Sequence, residues 1–198
     1  MKKLTLSLLI SLGTIGSSFA GQPMVSQDHK EYKGGPAPET CFNDREFQLD
    51  VFGAYVDGNG GSHAGQIREH GWGGGIGVNY FFTRNIGFGA DATWIYADEN
   101  ANVSANGGET VFHNFTGSLI FRFPIDAACL APYLFVGGGF HVDGEQWASA
   151  HAGLGAEYRI VPQRVGLFAD ARFTYFGDRY GSGDQNNIMA RAGVRFIF

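Results

Sequence analysis

Hydrophobic and polar residues alternate with a period of two along most of the chain. In residues 187–198 one parity reads Ile188, Ala190, Ala192, Val194, Phe196 and Phe198. The other reads Met189, Arg191, Gly193, Arg195 and Ile197. Successive strand side chains point to opposite faces, so each parity is one face of a strand. Seven earlier segments carry the same signal: 45–57, 72–82, 86–97, 110–123, 132–142, 147–160 and 165–176. Only 132–142 has mixed parities and leaves its facing open. Each segment is roughly ten residues long, the length a tilted membrane strand needs. The connections alternate: 83–85, 124–131 and 161–164 are short, whereas 58–71, 98–109 and 177–186 are longer and polar. The stretch 143–146 departs from that rhythm.

The chemistry of the faces decides between two kinds of barrel. A soluble, lipocalin-like barrel is polar outside and apolar around its ligand. A membrane barrel is apolar toward lipid and polar toward the lumen. Here the apolar parity is almost free of charge, and the opposite parity is rich in glycine, which suits a crowded interior. The expected fold is all-β, an eight-stranded antiparallel up-and-down transmembrane β-barrel over residues 45–198. Its polar parity gathers Glu46, Asp50, Asp91, Glu157 and Asp170 against Arg122, Arg159, Arg172, Arg191 and Arg195. Eight strands enclose a space that side chains fill. Charges there must pair, because an isolated buried ion is very costly. We therefore expect an internal charge network and little open pore. Since the eighth strand closes beside the first, Arg191 and Arg195 are expected to approach Glu46 and Asp50.

Composition narrows the partners. Only 17% of residues are charged, and the formal net charge is −5 with no basic run, which disfavours a nucleic-acid partner. Lys2 and Lys3 precede an apolar run, and Ser18-Phe19-Ala20 fits a cleavage site. Residues 1–20 thus read as a signal peptide and 21–44 as a periplasmic leader. Two cysteines, Cys41 and Cys129, remain in an exported chain, and both fall on the periplasmic side of the expected topology. A disulfide between them would lay the leader across the barrel mouth. Two separate thiols are the alternative.

Several stretches add a resemblance. Residues 132–139 (PYLFVGGG), Glu157-Tyr158-Arg159, 168–172 (FADAR) and the closing Arg195-Phe196-Ile197-Phe198 resemble the bacterial outer-membrane beta-barrel domain family, similar to the small OmpA and OmpX barrels. The resemblance spans about 47–198. It implies a monomer in the cell outer membrane, among outer-membrane lipids and lipopolysaccharide. It also implies that Phe196 and Phe198 form the assembly signal, read by the barrel-assembly machinery after escort by periplasmic chaperones.

No catalytic residue, cofactor or metal is expected. The glycine run at 73–77 lacks the following helix and lysine of a phosphate loop. The 57–60 segment resembles part of a calcium loop but lacks the distal Glu. Ser149 and His151 share the lumen parity and His113 the outer one; a lipid-A-modifying enzyme would need nucleophile, base and orienting acid together at the lipid boundary. The loops carry His63, Arg68, Glu69 and His70, then Asp98 and Glu99, then Asp178, Arg179, Tyr180 and Asp184, and they offer a place for an extracellular ligand. The expected role is structural or surface interaction through those loops. A narrow porin-like conduit for small solutes or hydrophobic compounds is the alternative.

Overall fold

The computed structural model describes residues 40–58, 67–99, 109–142, 147–176 and 185–198. The expected signal peptide, most of the leader, and His63, Asp178, Arg179, Tyr180 and Asp184 lie outside the described residues. These form eight strands: β1 (Glu46–Gly58), β2 (Ile67–Phe81), β3 (Ile86–Glu99), β4 (Glu109–Arg122), β5 (Leu130–His141), β6 (Trp147–Val161), β7 (Val165–Phe176) and β8 (Gln185–Ile197). Each pairs antiparallel with the next, and β8 pairs with β1, so the barrel is closed and has no free sheet edge. A single-turn 3₁₀ helix, Asp126–Ala128, sits between β4 and β5.

The register gives the stagger. A walk across partnered residues from Phe47 runs through Tyr80, Phe88, Leu119, Val136, Ala152, Phe173 and Ile188 and returns to β1 at Asp57, ten residues higher. Eight strands with that stagger tilt at about 40°, given strand spacing and rise.

Side chains divide as the alternation requires. Phe88, Leu134, Val136, Leu154, Phe173 and Ile188 are exposed on the outer surface. Among the described residues no charged side chain interrupts this band between its two aromatic rims. Toward the periplasm the rim holds Phe47, Tyr80, Phe82, Phe123, Tyr158, Phe196 and Phe198; toward the outside it holds Tyr55, Trp72, Trp94, Tyr96 and Tyr175. By the register the rims lie about nine strand residues apart, or roughly 22 Å at this tilt, the height of an outer-membrane apolar band. Tyr and Trp belong there, since their rings bury in lipid while their polar atoms reach water.

Three features differ from the alternation signal. β5 has a definite facing, with Ala131, Tyr133 and Phe135 inward and Leu134, Val136 and Phe140 outward. Its parities mix because the lumen there is lined by aromatic rings that flank arginines. The other two concern strand ends: Arg68, Glu69 and His70 lie on β2 rather than in a loop, and Asp98 and Glu99 lie on β3. Backbone pairing continues above the lipid, where the outer face no longer has to be apolar. Thus His70 is the partner of Asp57 on β1.

Candidate functional site: the ionic lattice of the lumen

The inward parity stacks the barrel interior in three storeys. The top storey, under the extracellular rim, is apolar: Ala54, Val56, Ile95, Ala97, Phe112 and Met189 pack together and are nearly fully buried. The two below it are ionic.

The middle storey holds two acids and two bases. Arg191 forks onto Asp170, with Nε donating to Oδ1 at 2.7 Å and Nη2 to Oδ2 at 2.9 Å. Its Nη1 lies 3.2 Å from Asp91 Oδ2. Arg172 Nη2 donates to the same oxygen at 2.7 Å. Thr116 relays between them: its hydroxyl accepts from Arg172 Nη1 at 2.9 Å and donates to Asp91 Oδ2 at 2.8 Å. Tyr133 donates its phenolic hydrogen to Asp170 Oδ2 at 2.9 Å.

The lower storey holds three of each. Arg195 forks onto Asp50 with two bonds of 2.7 Å and donates a third, also 2.7 Å, to Glu157 Oε2. Glu46 Oε1 accepts from Arg122 at 2.8 Å, from Arg159 at 2.6 Å and from Gln48 at 2.5 Å. Arg159 Nε also lies 2.5 Å from Glu157 Oε1, a close ion contact without hydrogen-bond alignment. Asn79 Nδ2 donates to Asp50 Oδ2 at 2.8 Å.

Each ionic storey is neutral by itself. That balance is what allows ten ionised groups inside so narrow a barrel, because burial of an unmatched charge costs several kcal/mol. Rings supply the remaining lining: the Arg122 guanidinium lies 3.8 Å from the Phe81 ring, Arg195 4.7 Å from Phe168 and Arg191 5.0 Å from Phe52. Gly75 on the inner face of β2 shows how little room the lumen leaves. A Cβ there would collide with the Phe52 ring and the Ala92 carbonyl. A small internal cavity of about 20 Å³ remains between the storeys, bounded by Asp50, Asn79, Asp91, Ser118 and Tyr133 among others. That is room for about one water molecule.

All ten expected charges lie inside, and Arg195 meets Asp50 at a direct register position. Arg191 does not reach Glu46. It sits four residues higher on β8, opposite Ala54 on β1 and Asp170 on β7, so it pairs directly with Asp170 and reaches Asp91 on β3 across the lumen instead. Glu46 is held by Arg122 and Arg159. Alternation alone does not single out Gln48, Asn79, Thr116 and Tyr133, since an uncharged polar residue on the inner parity looks like any other. Ser149 is not the partner of His151. The His151 Nε2 and Ser118 Oγ are 2.8 Å apart in the lumen, and His151 Nδ1 has no partner among the described residues. Cys41 and Cys129 are joined in a disulfide, with Cα atoms 5.4 Å apart. Phe198 completes the seam: its N donates to Phe47 O at 2.9 Å, Phe47 N donates back at 3.3 Å, and the two rings lie 6.1 Å apart.

A closed eight-stranded barrel, apolar and aromatic-rimmed outside and ionic within, defines an integral β-barrel protein of the bacterial outer membrane. The chain belongs to the outer membrane protein beta-barrel domain family, whose model matches residues 24–196. No curated protein sequence matches it. Among solved structures it is similar to Neisserial surface protein A at 20% identity and a TM-score of 0.57, covering 77% of this chain and 96% of that one. The outer membrane protein OprG from Pseudomonas aeruginosa is similar at 12% identity and a TM-score of 0.53, over 79% of this chain and 97% of that one. The N-terminal barrel domain of Pseudomonas aeruginosa OprF follows at 18% identity and 0.52, over 79% and 99%. At these identities the likeness is one of fold.

Proposed function

We propose that this is a closed outer-membrane barrel whose role is structural or surface interaction, exercised through its extracellular loops. The observation that supports this most is the filled lumen: among the described residues two neutral ionic storeys lie beneath an apolar one, and the space between the storeys has room for about one water molecule. A rigid, sealed scaffold leaves its loops as the part free to recognise a partner. Outer-membrane lipids and lipopolysaccharide surround the apolar band. Phe196 and Phe198 serve as the assembly signal on the outer face, and the protein acts as a monomer. The narrow conduit is the weaker reading, since it needs a continuous lumen. A lipid-A-modifying reaction is weaker still, because Ser118 and His151 face the lumen rather than the lipid.

Planar-bilayer recording of the folded protein tests the closure, with no stable conductance steps expected. Replacing 59–66, 100–108 and 177–184 singly with short Gly-Ser turns tests the surface role. Loss of adhesion to lipopolysaccharide vesicles or to cells in one loop variant, with the barrel still folded, supports it. Large, steady channels would overturn it.

A further inference from the structure

Residues 40–44 cross the periplasmic mouth of the barrel, and each of the three described periplasmic turns holds them. In the β2–β3 turn the Arg84 backbone N–H donates to Asp44 Oδ1 at 2.6 Å. In the β4–β5 connection Cys129 is bonded to Cys41. In the β6–β7 turn Gln163 Nε2 donates to the Thr40 carbonyl at 3.0 Å. Phe42, only 1% exposed, sits with its ring centre 4.9 Å from the Arg122 guanidinium and 4.8 Å from that of Arg159. It is the floor of the lower ionic storey.

The backbone at this end is under constraint. Arg45, Cys129 and Gln163 have φ of 56°, 48° and 59°, and they are the non-glycine residues with positive φ among the described residues. One is the hinge into β1, one is the disulfide partner, and one anchors Thr40. Non-glycine residues hold such a conformation only where their surroundings enforce it.

Apart from the disulfide, the segment is held by the buried Phe42 ring packed with Ala131, by two exposed hydrogen bonds, and by two long, partly buried ones of 3.4 Å that join Asn43 to Glu46 and Arg122, which is modest support for ordering five residues of chain. The covalent bond supplies the missing constraint: besides the chain's own continuation into β1, it is the one covalent tether on the segment among the described residues. Cys41 is buried, while Cys129 is only partly so, which leaves Cys129 as the side from which a small thiol approaches.

We propose that residues 40–44 are a redox-locked floor, closed while Cys41–Cys129 is intact and released when a periplasmic dithiol reduces it. The dithiol attacks Cys129 Sγ, forms a mixed disulfide and expels Cys41 as the thiol. Its second sulfur then closes its own disulfide and frees Cys129. Two electrons and two protons pass to the protein, and the dithiol is oxidised. The segment then swings about Arg45 and withdraws Phe42, so that Glu46, Arg122 and Arg159 meet periplasmic water. The middle storey stays in place, so the event exposes a charged surface and opens no channel.

Hydrogen exchange of the full chain folded in detergent micelles tests this, read by mass spectrometry with and without dithiothreitol. Peptides covering 40–46 are expected to exchange at least roughly tenfold faster after reduction, while peptides from β6 and β7 stay unchanged. The Cys41→Ser/Cys129→Ser variant should reproduce the fast floor without reductant. Three results would each overturn the proposal: unchanged exchange at 40–46 in the reduced protein, faster exchange throughout the strands, or a bond that dithiothreitol leaves intact in the folded protein.

Discussion

Arg195 grips Asp50 through two hydrogen bonds of 2.7 Å across the seam where β8 closes on β1, and the two residues are direct partners in the register. A third bond ties Arg195 to Glu157 on β6. The seam is therefore held by an ionic fork as well as by its backbone ladder. Both partners are nearly fully buried, so their pairing is little screened by water or salt.

Removing one side of that fork leaves an uncompensated charge in the lumen. Asp50→Ala and Arg195→Ala are each expected to lower stability by about 3–5 kcal/mol. Urea unfolding in lipid vesicles measures the loss. The Asp50→Ala/Arg195→Ala variant should lose less than the two single losses together, because it buries neither charge alone. Strict additivity would mean that the fork does not couple the two strands.

Gly75 sets a size limit on the lumen. Alanine there meets the Phe52 ring and the Ala92 carbonyl, and backbone cannot yield as a flexible side chain does. Gly75→Ala is expected to destabilise by about 1–3 kcal/mol, although alanine suits a strand better than glycine. Gly77→Ala is the contrast: its Cβ would have ordinary contacts at 3.4 Å or more, so a change below about 1 kcal/mol is expected. Equal losses at the two positions would contradict the packing described for β2.

The terminal aromatic separates assembly from stability. Phe198 is 73% exposed and contributes few contacts beyond the Phe47 ring and the backbone pair at the seam. Phe198→Ser should therefore leave the unfolding midpoint of purified, folded protein nearly unchanged. In cells it should reduce the fraction that reaches the heat-modifiable, membrane-inserted form. A normal inserted fraction would remove Phe198 from the assembly signal.

The facing of seven strands was legible in the sequence because lipid and lumen demand opposite chemistry, and alternation records that demand directly. β5 was not, since Tyr133 and Phe135 look lipid-facing until the arginines beside them are known. Partner choice inside the lumen was only partly legible. Arg195 and Asp50 lie on strands that must close together, and Arg191 and Asp170 are direct partners on neighbouring strands once the β7–β8 register is known, whereas the contact of Arg191 with Asp91 on β3 runs across the lumen and depends on a ten-residue stagger that no single strand encodes. The upper ends of β2 and β3 were hidden for a related reason: above the lipid, polar residues occupy both parities and the strand signal fades. Phe42 left no trace at all, being one aromatic in a polar stretch with neither period.

Depth in the membrane gives the most direct test of the outer surface. Leu154 lies near mid-height of the apolar band, where its side chain is 62% exposed and partnered by Leu134 and Ala171. Ile160 lies on the same face of the same strand, six residues nearer the periplasmic rim beside Tyr158, and is 53% exposed. Neither position touches the ionic storeys, so an arginine at either leaves the interior unchanged. Only the surroundings differ: hydrocarbon for one, headgroups and water within reach for the other. Leu154→Arg should cost about 2–4 kcal/mol and Ile160→Arg about 0–1 kcal/mol, measured by reversible urea unfolding in vesicles. If the band were instead the wet exterior of a soluble barrel, both arginines would be tolerated alike.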